Sequence, residues 1–282
     1  MKKIINHLTT LIILAGIIVI SYPVISQVYY NYQTKQDVND FGKAAKQLTS
    51  EEVKNRFNLA KDYNDSLKNI SISDPYTEEK LERGRAEYAR MLTVHEKVGT
   101  ISIPKIDVNL PIYAGSSEEV LQKGVGHLEG TSLPIGGKST HAVLTAHTGL
   151  PSARLFTDLT KVKMGDKFFI QNIKETIAYK VDSITVIEPT DFDSLTIVPE
   201  KDYVTLLTCT PYMINSHRLL VRGHRIPYKA KDAQVNNSIT HISVPPLYLA
   251  VFAIILIIVL ISIWNRWKNR KAKKEQAHVS KS

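Results

Sequence analysis

Two uncharged apolar runs bracket this chain and constrain its folding more than any other feature. From Ile4 to Thr34 there is no Asp, Glu, Lys or Arg, and Leu8 to Ile25 is almost wholly apolar. A second uncharged run extends from Val244 to Trp264. At about 1.5 Å rise per residue, each run is long enough to cross about 30 Å of hydrocarbon as a helix. Lys2 and Lys3 give the first run the basic start of a secretory signal peptide. Its apolar core is longer than such peptides carry, however, and no A-x-A-like cleavage site follows. The expectation is an uncleaved transmembrane signal-anchor over 8–26. Arg266, Lys268, Arg270, Lys271, Lys273 and Lys274 follow the second run, and basic residues stay on the cytoplasmic side. Residues 1–7 and the basic tail 265–282 are then cytoplasmic, 244–264 is a second transmembrane helix, and about 27–243 form one extracytoplasmic loop. This predicts a two-pass membrane protein.

The formal charge of +9 resembles that of a nucleic-acid binder, but its distribution does not. The tail carries seven Lys/Arg against one Glu, and Lys2 and Lys3 add two more positives, which leaves the rest of the chain near neutral. The basicity therefore serves topology and anionic lipid, and no nucleic-acid partner is expected. Cys209 is the chain's one cysteine, so no internal disulfide stabilises the loop. At roughly 215 residues the loop is large enough to form its own core.

Within the loop, 27–70 read as helical. Val53, Phe57, Ala60 and Leu67 share a stripe, and Ser50 with Glu51 and Glu52 marks a helix start. Asp74-Pro75 ends the region, because proline disfavours helical geometry in the residue before it. Another helical stretch runs from Thr77 to about Met91. From Gly99 the period changes to two. Strands are predicted at Thr100–Ile103, Ile106–Tyr113, Thr140–Ala146, Lys167–Gln171, Thr176–Ile187, Tyr203–Cys209 and Arg218–Ile226, each bounded by Gly, Pro, Asn or Asp. Ser117–Gln122 and Ser152–Leu159 read as short helical interruptions. Many short strands with few helices predict a mainly β, closed-barrel fold. Residues 228–243 are polar and read as a linker.

A lone thiol is either a small buried hydrophobe or a nucleophile. Alternation puts Thr205, Leu207 and Cys209 on one strand face, and Arg218, Leu220 and Arg222 on one face of the next strand. The eight residues between Cys209 and Arg218, with Pro211 and Asn215 among them, suit a hairpin loop that would bring the two to the same rim. Arg222 lies four residues further on, roughly 13 Å at about 3.3 Å per residue, and Arg225 further still. His147 stands in Thr145-Ala146-His147-Thr148-Gly149. Thiolate attack on a carbonyl needs a nucleophile, a group titrating near neutrality to move protons, and a permanent cation to hold the oxyanion. Cys209, His147 and Arg218 supply one of each. The other histidines considered, His127, His141, His217 and His224, match no metal-ligand spacing, so no metal is expected. Tyr29, Tyr30 and Tyr32 read as an interfacial aromatic belt.

Thr205-Leu206-Leu207-Thr208-Cys209, followed by Thr210-Pro211-Tyr212 and by His217-Arg218-Leu219-Leu220-Val221-Arg222-Gly223, resembles the active-site signature of sortases. These are cysteine transpeptidases of the Gram-positive bacterial surface. The resemblance covers roughly 95–227. It implies an eight-stranded sortase barrel over 99–227, with Cys209 as nucleophile, His147 as acid/base, Arg218 as oxyanion and substrate clamp, and no cofactor. The second span and Asp74-Pro75-Tyr76 are similar to the class C, pilus-building members. In that class an Asp-Pro-aromatic lid, here about 71–78 within a helical region of 27–98, covers the site. The resemblance implies that Asp74 faces Arg218 and Tyr76 lies over Cys209, although Trp or Phe is commoner than Tyr there. Met213 stands where many members carry glycine, which implies a changed loop.

The implied partners are pilin subunits with an LPXTG-like signal, cleaved between Thr and Gly and joined to a lysine amine. Three readings stay open beside this one: a wall-anchoring sortase using a cell-wall precursor amine, a cysteine hydrolase, and a non-enzymatic membrane scaffold.

Overall fold

The computed structural model describes residues 2–67 and 96–233, together with scattered helical positions between 250 and 264. The chain divides into two units, Met1–Tyr29 with Thr240–Ser282, and Tyr30–Ile239. The predicted second span and the predicted lid fall largely or wholly outside the described residues. Among those residues, one helical stretch, Leu14–Gln47, is long and apolar enough to cross a membrane.

Helix α1 (Lys2–Gln47) is followed after a two-residue break by α2 (Ser50–Ser66). The sequence points to Ser50 as the start of α2, and the cap sits one residue earlier. Thr49 Oγ1 accepts from Glu52 N at 3.2 Å while the Glu52 carboxylate accepts from Thr49 N at 3.1 Å. This reciprocal capping box satisfies two backbone donors that the helix cannot satisfy itself. Phe41 and Ala45 of α1 and Ala60 of α2 are buried in the same core as the barrel interior. Tyr30, one of the three tyrosines read as an aromatic belt, packs against the barrel. Its hydroxyl donates to Lys123 O at 2.9 Å, and burial pushes its pKa up.

The rest is a closed barrel in the order β1-β2-β3-β4-β7-β8-β6-β5. The strands are β1 (Lys97–Ile103), β2 (Val108–Ala114), β3 (Val125–His127), β4 (Thr140–Thr145), β5 (Lys167–Gln171), β6 (Thr176–Ile187), β7 (Asp202–Thr210) and β8 (His217–Ile226). Closure leaves no long edge to template aggregation. Seven of these strands follow the period-two reading. The eighth, β3, is three residues long with a central glycine, too short for alternation to register. Helix α3 (Glu118–Lys123) links β2 to the parallel β3. The predicted helix at Ser152–Leu159 is not formed; that segment is a run of turns ending in a short 3-10 helix, Leu159–Lys161.

Strand parity separates two apolar clusters. Ala142 and Leu144 of β4, Val204 and Leu206 of β7, and Leu219 and Val221 of β8 fill the barrel interior. The alternate residues Val143, Leu207 and Leu220 point outward into a second cluster with Leu128, Ile187, Phe192 and Leu195. This outer cluster floors the candidate site.

Candidate active site

Cys209 lies one residue before the end of β7, and the antiparallel ladder pairs it directly with Arg218 near the start of β8. Both share parity with Leu207 and Leu220, so both emerge on the barrel's outer face beside the second apolar cluster. The third residue arrives by a parallel pairing. β4 runs alongside β7 with Thr145 opposite Leu207. The contact continues past the strand end: Ala146 N donates to Leu207 O at 3.2 Å and Thr208 Oγ1 donates to Ala146 O at 2.7 Å. Extending that register brings His147 beside Cys209 on the same face.

The His147 backbone is anchored from two sides. Phe156 N donates to His147 O at 3.1 Å, and Thr157 Oγ1 accepts from Gly149 N at 3.1 Å. Gly149 has φ +80°, and a β-carbon there would stand 3.3 Å from the Tyr212 ring. Glycine is thus favoured by the left-handed backbone, and the approach of the loop after β7 leaves little room for a side chain.

That loop is tight. Ile214 N and Asn215 N both donate to Pro211 O, at 3.1 and 2.9 Å, and the Thr210–Pro211 peptide is cis. Met213 has φ +68° and points into solvent. Methionine enters this left-handed backbone with a strain of roughly 1 kcal/mol, where glycine would enter it freely. Asn215 O and His217 O each accept from Arg218 Nη1 at 3.2 Å, and Arg218 is only 7% exposed. The loop thus aims the guanidinium. The rival arginines are held elsewhere. Arg222 is registered against Thr205, donates from Nε to Asp182 Oδ1 at 2.9 Å and stacks over Tyr203. Arg225 lies 3.6 Å from Asp202 and 3.7 Å from Glu175.

One contact of the site has no signal in the sequence pattern. His147 Nε2 lies 3.2 Å from Glu118 Oε2 and 3.3 Å from Oε1. In the sequence, Glu118 reads as an acidic residue in the first turn of a short helix, which the helix dipole alone would favour. The four other histidines weighed in the sequence have separate structural partners. His141 bridges Thr196 O (3.0 Å) and Thr205 Oγ1 (2.7 Å), and burial lowers its pKa to about 4. His127 bonds Ser132 O at 2.8 Å, and burial lowers its pKa too. His217 pairs with Glu188 and His224 with Asp182. Asp74, Pro75 and Tyr76 lie outside the described residues.

A thiol, an imidazole and a fixed guanidinium thus meet on one outer rim, over an apolar floor. This set can attack a carbonyl carbon, move a proton and hold an oxyanion.

The family profile described as "Sortase domain" matches residues 101–226. The chain is 31% identical over 136 residues to sortase A of Bacillus anthracis, a match spanning 48% of this chain and 62% of that curated relative. Among solved structures, it is 65% identical to sortase C-1 of Streptococcus pneumoniae, covering 69% of this chain and 100% of that one with a TM-score of 0.67. A structure titled as the pilus-related sortase C of Group B Streptococcus is 63% identical, covers 68% of this chain and 97% of that one, and has a TM-score of 0.65.

Proposed function

The chain belongs to the sortase family, class C, and from that premise we propose that it is a pilus-polymerising cysteine transpeptidase at the outer face of a bacterial cell membrane. The observation that carries the proposal is the register pairing Cys209 with Arg218, with the parallel β4–β7 contact leading to His147 beside them.

In this reading Cys209 Sγ, as thiolate, attacks the threonine carbonyl of an LPXTG-like signal. The oxyanion of the tetrahedral intermediate is held by Arg218, which keeps its proton under all working conditions. Collapse breaks the Thr–Gly bond as His147 gives a proton to the departing glycine amine, leaving a thioester on Cys209. A lysine ε-amine of the next pilin attacks that thioester, and His147 takes the proton it sheds. An isopeptide bond forms and the Cys209 thiolate returns. No cofactor takes part. The uncharged runs at 8–26 and 244–264 hold the enzyme where exported pilins emerge, with catalytic residues 99–227 outside. Asp74, Pro75 and Tyr76 form the lid, Asp74 toward Arg218 and Tyr76 over Cys209.

The test mixes the extracytoplasmic segment with a pilin bearing an LPXTG-type signal, with and without the double change Asp74→Ala/Tyr76→Ala. A ladder of covalent multimers on a denaturing gel is expected, faster for the lid variant and absent for Cys209→Ala. Multimers made by Cys209→Ala would refute the assignment of the nucleophile. Cleavage without a ladder would indicate a wall-anchoring transferase or a hydrolase; the mass of the cleaved end separates them, since hydrolysis adds water and transfer adds the amine.

A further inference from the structure

Glu118 is 67% exposed on its side chain, yet its surroundings are built with care. The turn before it is locked: Ser116 donates from N and Oγ to the two carboxylate oxygens of Glu129, at 3.2 and 2.6 Å. Gly115 bridges to His127, and a β-carbon on Gly126 would stand 2.5 Å from Gly115 O, so the turn lies directly on β3. Ser117 Oγ then caps α3 by accepting from Val120 N. Glu118 follows at once, and its carboxylate is fixed twice. Gln122 Nε2 donates to Oε1 at 2.6 Å, while Oε2 stands 3.2 Å from His147 Nε2. Its neighbour Glu119 also satisfies the helix dipole, but it pairs with Lys123 at 2.8 Å. The dipole therefore does not explain where Glu118 points.

A neutral imidazole carries one N–H, and the partner of each nitrogen decides which one bears it. An ionised carboxylate only accepts hydrogen bonds. A histidine whose Nε2 faces one must carry its hydrogen there, which leaves the lone pair on Nδ1. We propose that Glu118, braced by Gln122, is a positioning residue that holds His147 as the Nε2–H tautomer and makes Nδ1 the nitrogen that exchanges protons during acyl transfer. The catalytic consequence rests on the transpeptidase reading; the tautomer does not. Because Glu118 is largely solvated, the coupling is screened. The expected loss on removing it is about tenfold in turnover, well short of the effect of removing a general acid–base group itself.

The test uses the full chain in detergent, labelled with ¹⁵N-histidine. Two-bond proton–nitrogen correlations taken where the imidazoles are neutral report which ring nitrogen of His147 carries hydrogen. The expected result is a pure Nε2–H signal in the wild type and a mixture of both tautomers in Glu118→Ala. Gln122→Ala, which removes the bond that braces Glu118, should give a smaller mixture. The buried His127 and His141 signals should stay in place in each variant. Turnover of a sorting-signal peptide should fall about tenfold in Glu118→Ala with KM within twofold, as expected for proton transfer rather than binding. An Nδ1–H signal in the wild type, or an unmixed Nε2–H signal in Glu118→Ala, overturns the proposal. If Glu118→Ala loses the His127 and His141 signals, Gln122→Ala decides by the same criterion. If the tautomer responds as expected but the wild type transfers no acyl group, the transpeptidase reading fails and the positioning role of Glu118 stands.

Discussion

Asn64 joins two parts of the protein that lie 69 residues apart. It is 3% exposed on α2, its Nδ2 donates to Leu133 O at 3.2 Å, and its Oδ1 accepts from Leu133 N at 2.7 Å. Leu133 is itself fully buried, so one side-chain amide serves a backbone amide that water reaches poorly. Asn64→Ala removes both bonds; Leu133 O keeps Ile135 N as a donor at 2.8 Å, so the Leu133 N–H is the group left without its partner. A buried donor left so costs about 1–3 kcal/mol, so a loss of about 2 kcal/mol is expected. With a urea slope of about 2 kcal/mol per molar, the midpoint should fall by roughly 1 M. The melting temperature should fall by about 4–8 °C for a unit of this size. The assay is urea unfolding of the Tyr30–Ile239 unit, followed by far-ultraviolet circular dichroism. Asn64→Asp sharpens it. The aspartate keeps an acceptor for Leu133 N but sets a carboxylate oxygen against Leu133 O, so it should be at least as damaging near neutrality. Stability relative to the alanine variant should recover on acidification, as the protonated carboxyl becomes a donor. A loss below about 1 kcal/mol for Asn64→Ala with an unchanged slope would show that water replaces both bonds, and would refute the sealed clamp.

Two further outcomes follow from buried groups of the barrel. Burial holds the His141 pKa near 4 instead of 6.5, so the unfolded chain takes up this proton first as pH falls. Stability should therefore drop between about pH 6.5 and 4, by about 3 kcal/mol from this group, and level off below. Denaturation midpoints across that range check the slope, and His141→Gln should flatten it; an unchanged slope would show that His141 does not contribute. Arg218→Lys keeps a positive charge but loses the planar fork that Asn215 O and His217 O orient. Acyl-enzyme formation, followed by single-turnover mass spectrometry, should slow by about 10²–10³-fold. Retention of more than a tenth of the rate would remove the guanidinium from the oxyanion role.

What could be read from the sequence divides according to what periodicity encodes. Alternation fixes the face on which each strand residue stands. The faces of Cys209 and Arg218 were therefore legible, and a loop of eight residues made their antiparallel pairing the simplest closure. Alternation says nothing about which strand lies beside which. The parallel β4–β7 pairing joins segments about 60 residues apart, and only the resemblance to a known family brought His147 to Cys209 beforehand. β3 was lost because three residues around a glycine carry no pattern, and Ser152–Leu159 was misread because a few polar and apolar residues in turns can mimic a helical turn. Glu118 and Asn64 expose the same limit. Each reads locally as an ordinary residue of a helix end or helix body, and each acquires its role from a partner far off in the chain, His147 in one case and Leu133 in the other. The barrel makes such partners dependable. Its interior cluster fixes the strands, its outer cluster fixes the loops over β4, β7 and β8, and side chains at the strand ends are thereby held against one another, Arg218 buried and Cys209 and His147 partly exposed. In the proposed reaction the nucleophile meets a long peptide and then a second protein, which calls for that combination of rigid support from beneath and open access from above.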